Sequence, residues 1–344
     1  MTAGPLLFAR YAFPPNELGY CGPADYAALR GYGAAAVTDP GLVQLAKGFT
    51  GAWPYLQVIA AANHIADPLD PRVVEAYWVG NSLLSSVRMR DFGDFLDESF
   101  RPRAGRGWEP IAAAVPGGAV PHHSFHVFCV YPWTGLLREG RTNPSLEVLD
   151  RCRISWGQVI TAPDSEPVLD GSTVLVRQRP LTWDGRTLGF GPPSPHLAKS
   201  GFVGSLQPGD WVSLHWDRVC DRLTPVQLRA LRRFTARHLG LANAVAPLLS
   251  WWLWQPHGWD RVVAATTRLV ASRRERGVAP DHRLCSSSCT SGPRGWGPDP
   301  GPCCGVGPAA TAPCAARSAA DDGAPRSTQA SATASRPPAI GPTR

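Results

Sequence analysis

Cys152 opens the run Cys152-Arg153-Ile154-Ser155-Trp156-Gly157-Gln158-Val159, with Arg151 and Arg153 on either side. Neighbouring cations favour the thiolate, the form of cysteine that attacks electrophiles and binds metals. Downstream, Pro208-Gly209-Asp210-Trp211-Val212-Ser213-Leu214-His215 runs a turn into a short strand that ends on an imidazole. One soft thiolate and one imidazole at neighbouring strand ends, at the mouth of a small barrel, suit low-spin iron or zinc. The bland alternative for Cys152 is a small buried residue that starts a strand.

A second group is Pro121-His122-His123-Ser124-Phe125-His126. On a strand, His122, Ser124 and His126 share a face; on a helix, His122 and His126 stand one turn apart, which is also a ligand spacing. Zinc or non-haem iron there requires a third protein ligand, for which Asp94, Asp97 and Glu109 are available. The alternative is a hydrogen-bonded histidine cluster beside an apolar strand, Val127 to Tyr131. Asn16 to Pro23 has the density of a functional loop, although glycine and proline alone explain a turn there. Gly31-Tyr32-Gly33 lacks the third glycine and the preceding strand of a phosphate loop. No nucleophile elbow stands out.

The elements that position these residues change character along the chain. Residues 1–145 read as a mainly helical domain. Asp39-Pro40 and Asp70-Pro71 each place an acceptor at an N-cap and a proline at the first helical position. Trp53 to Ile65 is apolar enough for a buried helix, and Phe92, Phe95 and Phe100 supply further core. Glycine and proline from Arg101 to Pro121 mark loops.

Residues 146–222 then read as a small OB-like β-barrel of five short strands: Cys152 to Ile160, Thr173 to Arg179, Leu181 to Trp183, Thr187 to Phe190 and Trp211 to Trp216. Asp184-Gly185 is a hairpin signal, and two-residue alternation sends His215 to the face opposite Val212, Leu214 and Trp216. Thr224-Pro225-Val226-Gln227 is a capping box that starts a helix ending at Pro247. A second helix follows from about Trp259 to Arg274, so residues 223–283 are helices packing on the body, with Trp251, Trp252, Trp254 and Trp259 between them and the first domain. Residues 284–344 form a tail without leucine after Leu284 and without phenylalanine, tyrosine, lysine or glutamate. That composition predicts disorder, and it also matches what a shifted reading frame in GC-rich DNA encodes. The fold class is therefore α+β.

The formal charge of +7 over 344 residues is spread out. Its densest runs, Arg229 to Arg237 and Arg268 to Arg276, fall on expected helices and read as solvated faces rather than a nucleic-acid groove. No stretch approaches the roughly 18 apolar residues of a membrane span, and Met1 to Arg10 lacks the pattern of a secretory signal. Nine cysteines without CxxC spacing in the body indicate reduced thiols in a cytoplasmic protein.

The segment from about 150 to 240 resembles the HypC/HupF/HybG family of small NiFe-hydrogenase maturation chaperones. The resemblance rests on Cys152-x-x-x-x-Gly157-x-Val159, the apolar strand Thr173-Val174-Leu175-Val176, the Pro208-Gly209-Asp210 turn into a strand ending at His215, and the helix after Leu223-Thr224-Pro225. It implies an Fe(CN)2CO unit carried by Cys152 and His215, with a HypD-like protein and the hydrogenase large-subunit precursor as partners. In that family the cysteine is N-terminal once methionine is removed, whereas Cys152 is internal. The loop from Asp184 to Gln207 is longer than usual, and Trp216-Asp217 stands where small residues are customary. The body as a whole also resembles a bacterial family of uncharacterised proteins.

The sequence thus points to an accessory protein rather than an enzyme. One rival is a zinc or iron enzyme built on His122, His123 and His126, for which the barrel is scaffold. Another is an OB-like module that grips single-stranded nucleic acid through Trp183, Trp211 and Arg177.

Overall fold

Helices come first in the chain: α1 (Gly4–Glu17), α2 (Tyr26–Ala35), α3 (Pro40–Lys47), α4 (Trp53–Ala62), α5 (Pro71–Trp78), α6 (Met89–Ala104), α7 (Trp108–Ala114), the single turn α8 (His123–Phe125), α9 (Trp133–Arg138) and α10 (Thr142–Cys152). The computed structural model describes residues 2–104, 107–161 and 172–244. The expected helix from Trp259, the tryptophans from Trp251 to Trp259, the stop at Pro247 and the tail lie outside these residues.

Local chemistry sets several helix starts. Asp39 accepts from the Leu42 amide at 3.1 Å and Asp70 from the Arg72 amide at 2.9 Å, each just ahead of a proline. Prolines at the first turn cost nothing there, because that N–H has no helical partner. The stretch from Arg101 to Pro121, expected as loop, instead contains the end of α6 and all of α7. Pro110 falls in the first turn of α7, where it is tolerated, and burial of Ile111 and Ala114 holds the helix. Val127 to Tyr131, expected as a strand, is a π-helical turn over His126–Val130, closed by the Tyr131 amide on the His126 carbonyl at 2.9 Å. A short apolar run does not distinguish helix from strand by periodicity.

Seven strands follow: β1 (Ser155–Thr161), β2 (Thr173–Gln178), β3 (Leu181–Trp183), β4 (Leu188–Phe190), β5 (Ser194–Lys199), β6 (Trp211–His215) and β7 (Arg218–Arg222). Five close a barrel in the order β1-β2-β5-β7-β6, with β5 and β7 parallel and the other pairs antiparallel. Taking only the barrel strands in chain order, the arrangement is first-second-third-fifth-fourth, an OB-like Greek key. The Asp184-Gly185 hairpin forms as expected, but β3 and β4 make a separate two-stranded sheet. Their places in the barrel belong to β5 and β7, whose sequences carry a proline and three charges respectively and so lack a plain strand pattern. The last described element is α11 (Pro225–Ala244), started by Thr224 and Gln227, each bonding the other's amide.

Val159, Val174, Val176, Ala198, Val212, Leu214 and Val219 fill the barrel. A larger core runs from Leu7, Phe8 and Tyr11 of α1 through Trp78 of α5 to Ile154, Trp156 and Cys220 on the barrel's outer wall. Helix α1 is buried along most of its length and docks on β6 and β7. Tyr11 Oη meets Ser213 Oγ at 2.8 Å, Arg10 pairs with Asp221 at 3.0 Å, and Arg218 pairs with Glu17 at 2.8 Å. Residue 145, the expected edge of the helical domain, falls inside α10. Among the described residues, no helix is long and apolar enough to cross a membrane.

Candidate metal centre

Strand pairing brings Cys152 to His215. In the β1–β6 ladder Ser155 faces Leu214, so the chain leading into β1 runs beside the chain leaving β6. The Trp216 amide then bonds the Arg151 carbonyl at 2.9 Å, which pins the turn after His215 to the last turn of α10. Cys152 is therefore the final residue of a helix rather than the start of a strand. Alternation along β6 decides the location. Val212 and Leu214 point into the barrel, while Ser213 and His215 point out towards α1. The pair thus lies on the outer wall beneath the helical layer, not at the barrel mouth.

A third residue joins them. One ring nitrogen each of His123 and His215 and the Cys152 sulfur lie within 4.8 Å of one another, and all three residues are buried. Trp78 packs on both rings, 4.6 Å from His123 and 5.7 Å from His215 between centroids, and the two imidazoles stand 5.1 Å apart edge to face.

Hydrogen bonds fix the state of each imidazole. His215 Nδ1 lies 2.7 Å from the Tyr11 carbonyl oxygen. A carbonyl only accepts, so Nδ1 carries the hydrogen and Nε2 keeps its lone pair. That Nε2 is buried, and with the hydrogen on Nδ1 it has none to donate to the Cys152 carbonyl beside it. Burial depresses the His215 pKa to about 4, against the opposing pull of the Tyr11 and Cys152 carbonyls. The Tyr11 carbonyl is available because its partner four residues on in α1 is Pro15, which has no N–H. A neutral ring with Nδ1–H on a backbone carbonyl and Nε2 unengaged is the state a metal requires.

His123 is held at both nitrogens. Its Nε2–H donates to the Cys152 carbonyl at 2.8 Å, and Tyr77 Oη stands 3.2 Å from Nδ1. Burial first, then the neighbouring His215, pushes its pKa well below the usual range. It positions the Cys152 backbone, and it can coordinate only by giving up one of these bonds.

The arginines beside Cys152 do not activate it. Side chains one residue apart diverge at a helix end. Arg151 pairs with Glu147 and Asp217, and the fully buried Arg153 pairs with Asp150 and the Arg179 carbonyl. Burial raises the Cys152 pKa strongly, Cys21 adds to the rise, and the Trp216 indole opposes it. The thiol is thus neutral until a metal displaces its proton.

The other expected site residues separate. His122 Nδ1 accepts from the Ser124 amide at 3.1 Å and lies 2.8 Å from Ser124 Oγ, which in turn meets His238 Nδ1 at 2.7 Å. His126 Nδ1 meets Tyr55 Oη at 3.1 Å. Among the described residues, His123 is the member of this trio that joins a convergent set of ligand atoms. Asp94 is exposed and sits on Arg90, and Asp97 on Arg101. Trp183 lies in the hairpin outside the barrel, while the Arg232 guanidinium covers Trp211 at 4.9 Å.

The model of a family of unknown function, DUF6390, matches residues 1–247. The chain belongs to the DUF6390 family. The match spans the helical part and the barrel together, as does the core they share. No curated protein and no solved structure shows significant similarity to this DUF6390 protein.

Sequence reasoning missed Tyr11, Tyr77, Trp78 and the role of Pro15 in this centre. Asn16-Glu17-Leu18-Gly19-Tyr20-Cys21-Gly22-Pro23 carried a signal that proves relevant. Asn16 Nδ2 holds the Cys21 and Pro23 carbonyls at 2.8 and 2.7 Å, and Tyr20 stacks on Trp216 at 3.9 Å.

Proposed function

We propose that this protein is an accessory factor of NiFe-hydrogenase maturation that holds or passes an Fe(CN)2CO unit through Cys152 and His215. The observation that carries the reading is the Nε2 lone pair of His215 beside a buried thiol, on the outer wall of an OB-like barrel. A soft thiolate and a neutral imidazole suit strongly ligated iron, and the four cysteines among the described residues are free thiols. The partners on this reading are a HypD-like protein and the large-subunit precursor, met in the cytoplasm, where thiols stay reduced. The protein's own contribution is to bind, orient and shield the unit. His215 presents its lone pair, Cys152 supplies the thiolate, and His123 holds the Cys152 backbone in place.

The test is genetic replacement of the wild-type protein by Cys152→Ala in a host that makes the hydrogenase. The expected result is a large subunit that lacks its iron fragment. Normal maturation with Cys152→Ala would end this reading.

A further inference from the structure

The inward-facing residues at one end of the barrel are polar. Along β2 and β5 the pairs Val174–Ala198 and Val176–His196 lead to Gln178–Ser194. Along β1, Val159 leads through Gly157 to Ser155, opposite Leu214 of β6. Val159, Val174, Val176, Ala198 and Leu214 belong to the barrel core, and alternate residues of a strand share a face. Ser155, Gln178, Ser194 and His196 therefore face the same interior at its end. The β1–β2 ladder stops there at Gly157–Gln178, and Pro180 has no N–H to continue it. A cleft of about 160 Å³ opens at this mouth. Leu214, Trp216 and Pro180 give it an apolar lining, and Glu147, Asp150 and Arg151, three and four residues apart on α10, complete its rim.

The charges of the cleft are already matched. Arg151 lies 3.1 Å from Glu147 and 2.8 Å from Asp217, Arg153 holds Asp150 at 2.8 Å, and His196 Nε2 meets Asp217 at 3.1 Å. Asp217 is presented by a turn in which Trp216 and Asp217 have φ of +48° and +59°. A bulky residue keeps that conformation only where its surroundings enforce it. An anion entering the cleft meets three carboxylates and no unmatched cation. A bare divalent cation is served no better, since the convergent ligand set among the described residues is His123, Cys152 and His215. An apolar guest strips water from the polar rim and returns no hydrogen bonds. What the cleft offers is neutral donors and acceptors. The Ser155 hydroxyl donates to Gln178 Oε1 at 3.1 Å, which leaves the Gln178 NH2 to donate. With Nε2–H on Asp217, His196 keeps a lone pair on Nδ1, and the Ser194 hydroxyl both gives and accepts.

We infer that the barrel mouth binds a neutral polyhydroxyl compound of monosaccharide size. Each hydroxyl of such a ligand donates one hydrogen bond and accepts others, so neighbouring hydroxyls match a rim that mixes donors and acceptors. Its C–H face suits the lining of Leu214, Trp216 and Pro180. The cleft is smaller than the roughly 300–1,000 Å³ of drug-sized ligand sites, which limits the guest to a single small ring. The site uses none of the metal ligands and stands independently of the function proposed above.

Titration of ¹⁵N-labelled full-length protein with D-glucose and D-ribose, followed by NMR, tests this, with acetamide, inorganic phosphate and magnesium as contrast probes. At least one of the sugars is expected to shift the Gln178 side-chain NH2 signals saturably in the millimolar range, and the contrast probes are not. Ser194→Ala should weaken that sugar by about tenfold, the worth of one hydrogen bond, and Gln178→Leu should weaken it at least as much. No saturable shift with either sugar, or an unchanged affinity in both folded variants, would overturn the inference. Saturation of the same signals by acetamide, phosphate or magnesium would overturn it equally. Should Gln178→Leu not fold, the wild-type titration and Ser194→Ala decide it.

Discussion

His215 donates Nδ1–H to the Tyr11 carbonyl across 2.7 Å, so strand β6 and helix α1 together decide which nitrogen of that ring is left for a metal. The carbonyl is free for this because Pro15 cannot donate to it. Pro15→Ala restores a competing N–H. It is expected to weaken zinc binding several-fold while leaving thermal stability equal or higher, since proline inside a helix costs about 3 kcal/mol. Calorimetric titration and a melting curve check both halves. Unchanged zinc affinity would separate the helix from the tuning of His215.

Acidification should destabilise the fold well above the range of carboxylates. Burial holds His122 and His215 each at a pKa of about 4 and pushes His123 and His238 well below the usual imidazole range. The native rings stay neutral while the unfolded rings take up protons below about pH 6.5. Stability is therefore complete above that pH and is lost as the pH falls towards 4, by about 1.4 kcal/mol per pH unit for each such ring. Melting temperatures from pH 7.5 to 4.5 should drop steeply below 6.5, and the slope should be shallower in His215→Gln. A flat profile would contradict the buried, neutral assignment.

The His122–Ser124–His238 chain is structural on this account. The Val120 amide donates to His238 Nε2 at 3.3 Å, so His238 Nδ1 carries the hydrogen that Ser124 Oγ accepts. Ser124→Ala leaves that donor unpaired in the core and is expected to cost about 1–3 kcal/mol in chemical denaturation. Zinc affinity should not change. A loss of zinc binding with stability intact would instead assign this chain to the metal site.

Tyr20 and Trp216 cover the Cys152 side of the centre. A stacked aromatic pair contributes up to about 1.5 kcal/mol beyond its buried area, so Tyr20→Ala should speed alkylation of Cys152 by roughly tenfold. Cys220, fully buried on β7 against the His215 backbone, lies away from Tyr20's stacking partner Trp216 in the packing clusters; it serves as the internal control and should not respond. Equal acceleration at both thiols would mean general loosening rather than an opened cover.

Much of this architecture could be read from residue types. The Asp-Pro starts of α3 and α5 and the Thr224–Gln227 box are local chemistry, and tertiary packing does not alter them. The order of the strand motifs set Cys152 and His215 at neighbouring strand ends, and barrel closure through the β1–β6 pairing is what brings them together. Alternation along β6 already sent His215 to the face opposite Val212 and Leu214, and that face meets α1. What the motifs could not convey is the helical end of α10, which turns Arg151 and Arg153 away from the thiol they flank. The histidine run was legible as a cluster but not as three rings with separate tasks, because a single helical turn followed by a π turn sends neighbouring side chains to different partners. β5 and β7 were hidden because their pairing comes from barrel closure, not from their own composition.

The central claim is that Cys152 and His215 hold an iron unit bearing cyanide and carbon monoxide. Infrared spectroscopy in the cyanide and carbonyl stretching region, on protein purified anaerobically from hydrogenase-producing cells, tests it most directly. The account predicts cyanide and carbonyl bands in the wild type that vanish in Cys152→Ala and His215→Ala. A spectrum without such bands from folded wild-type protein, or bands that survive both substitutions, would contradict it.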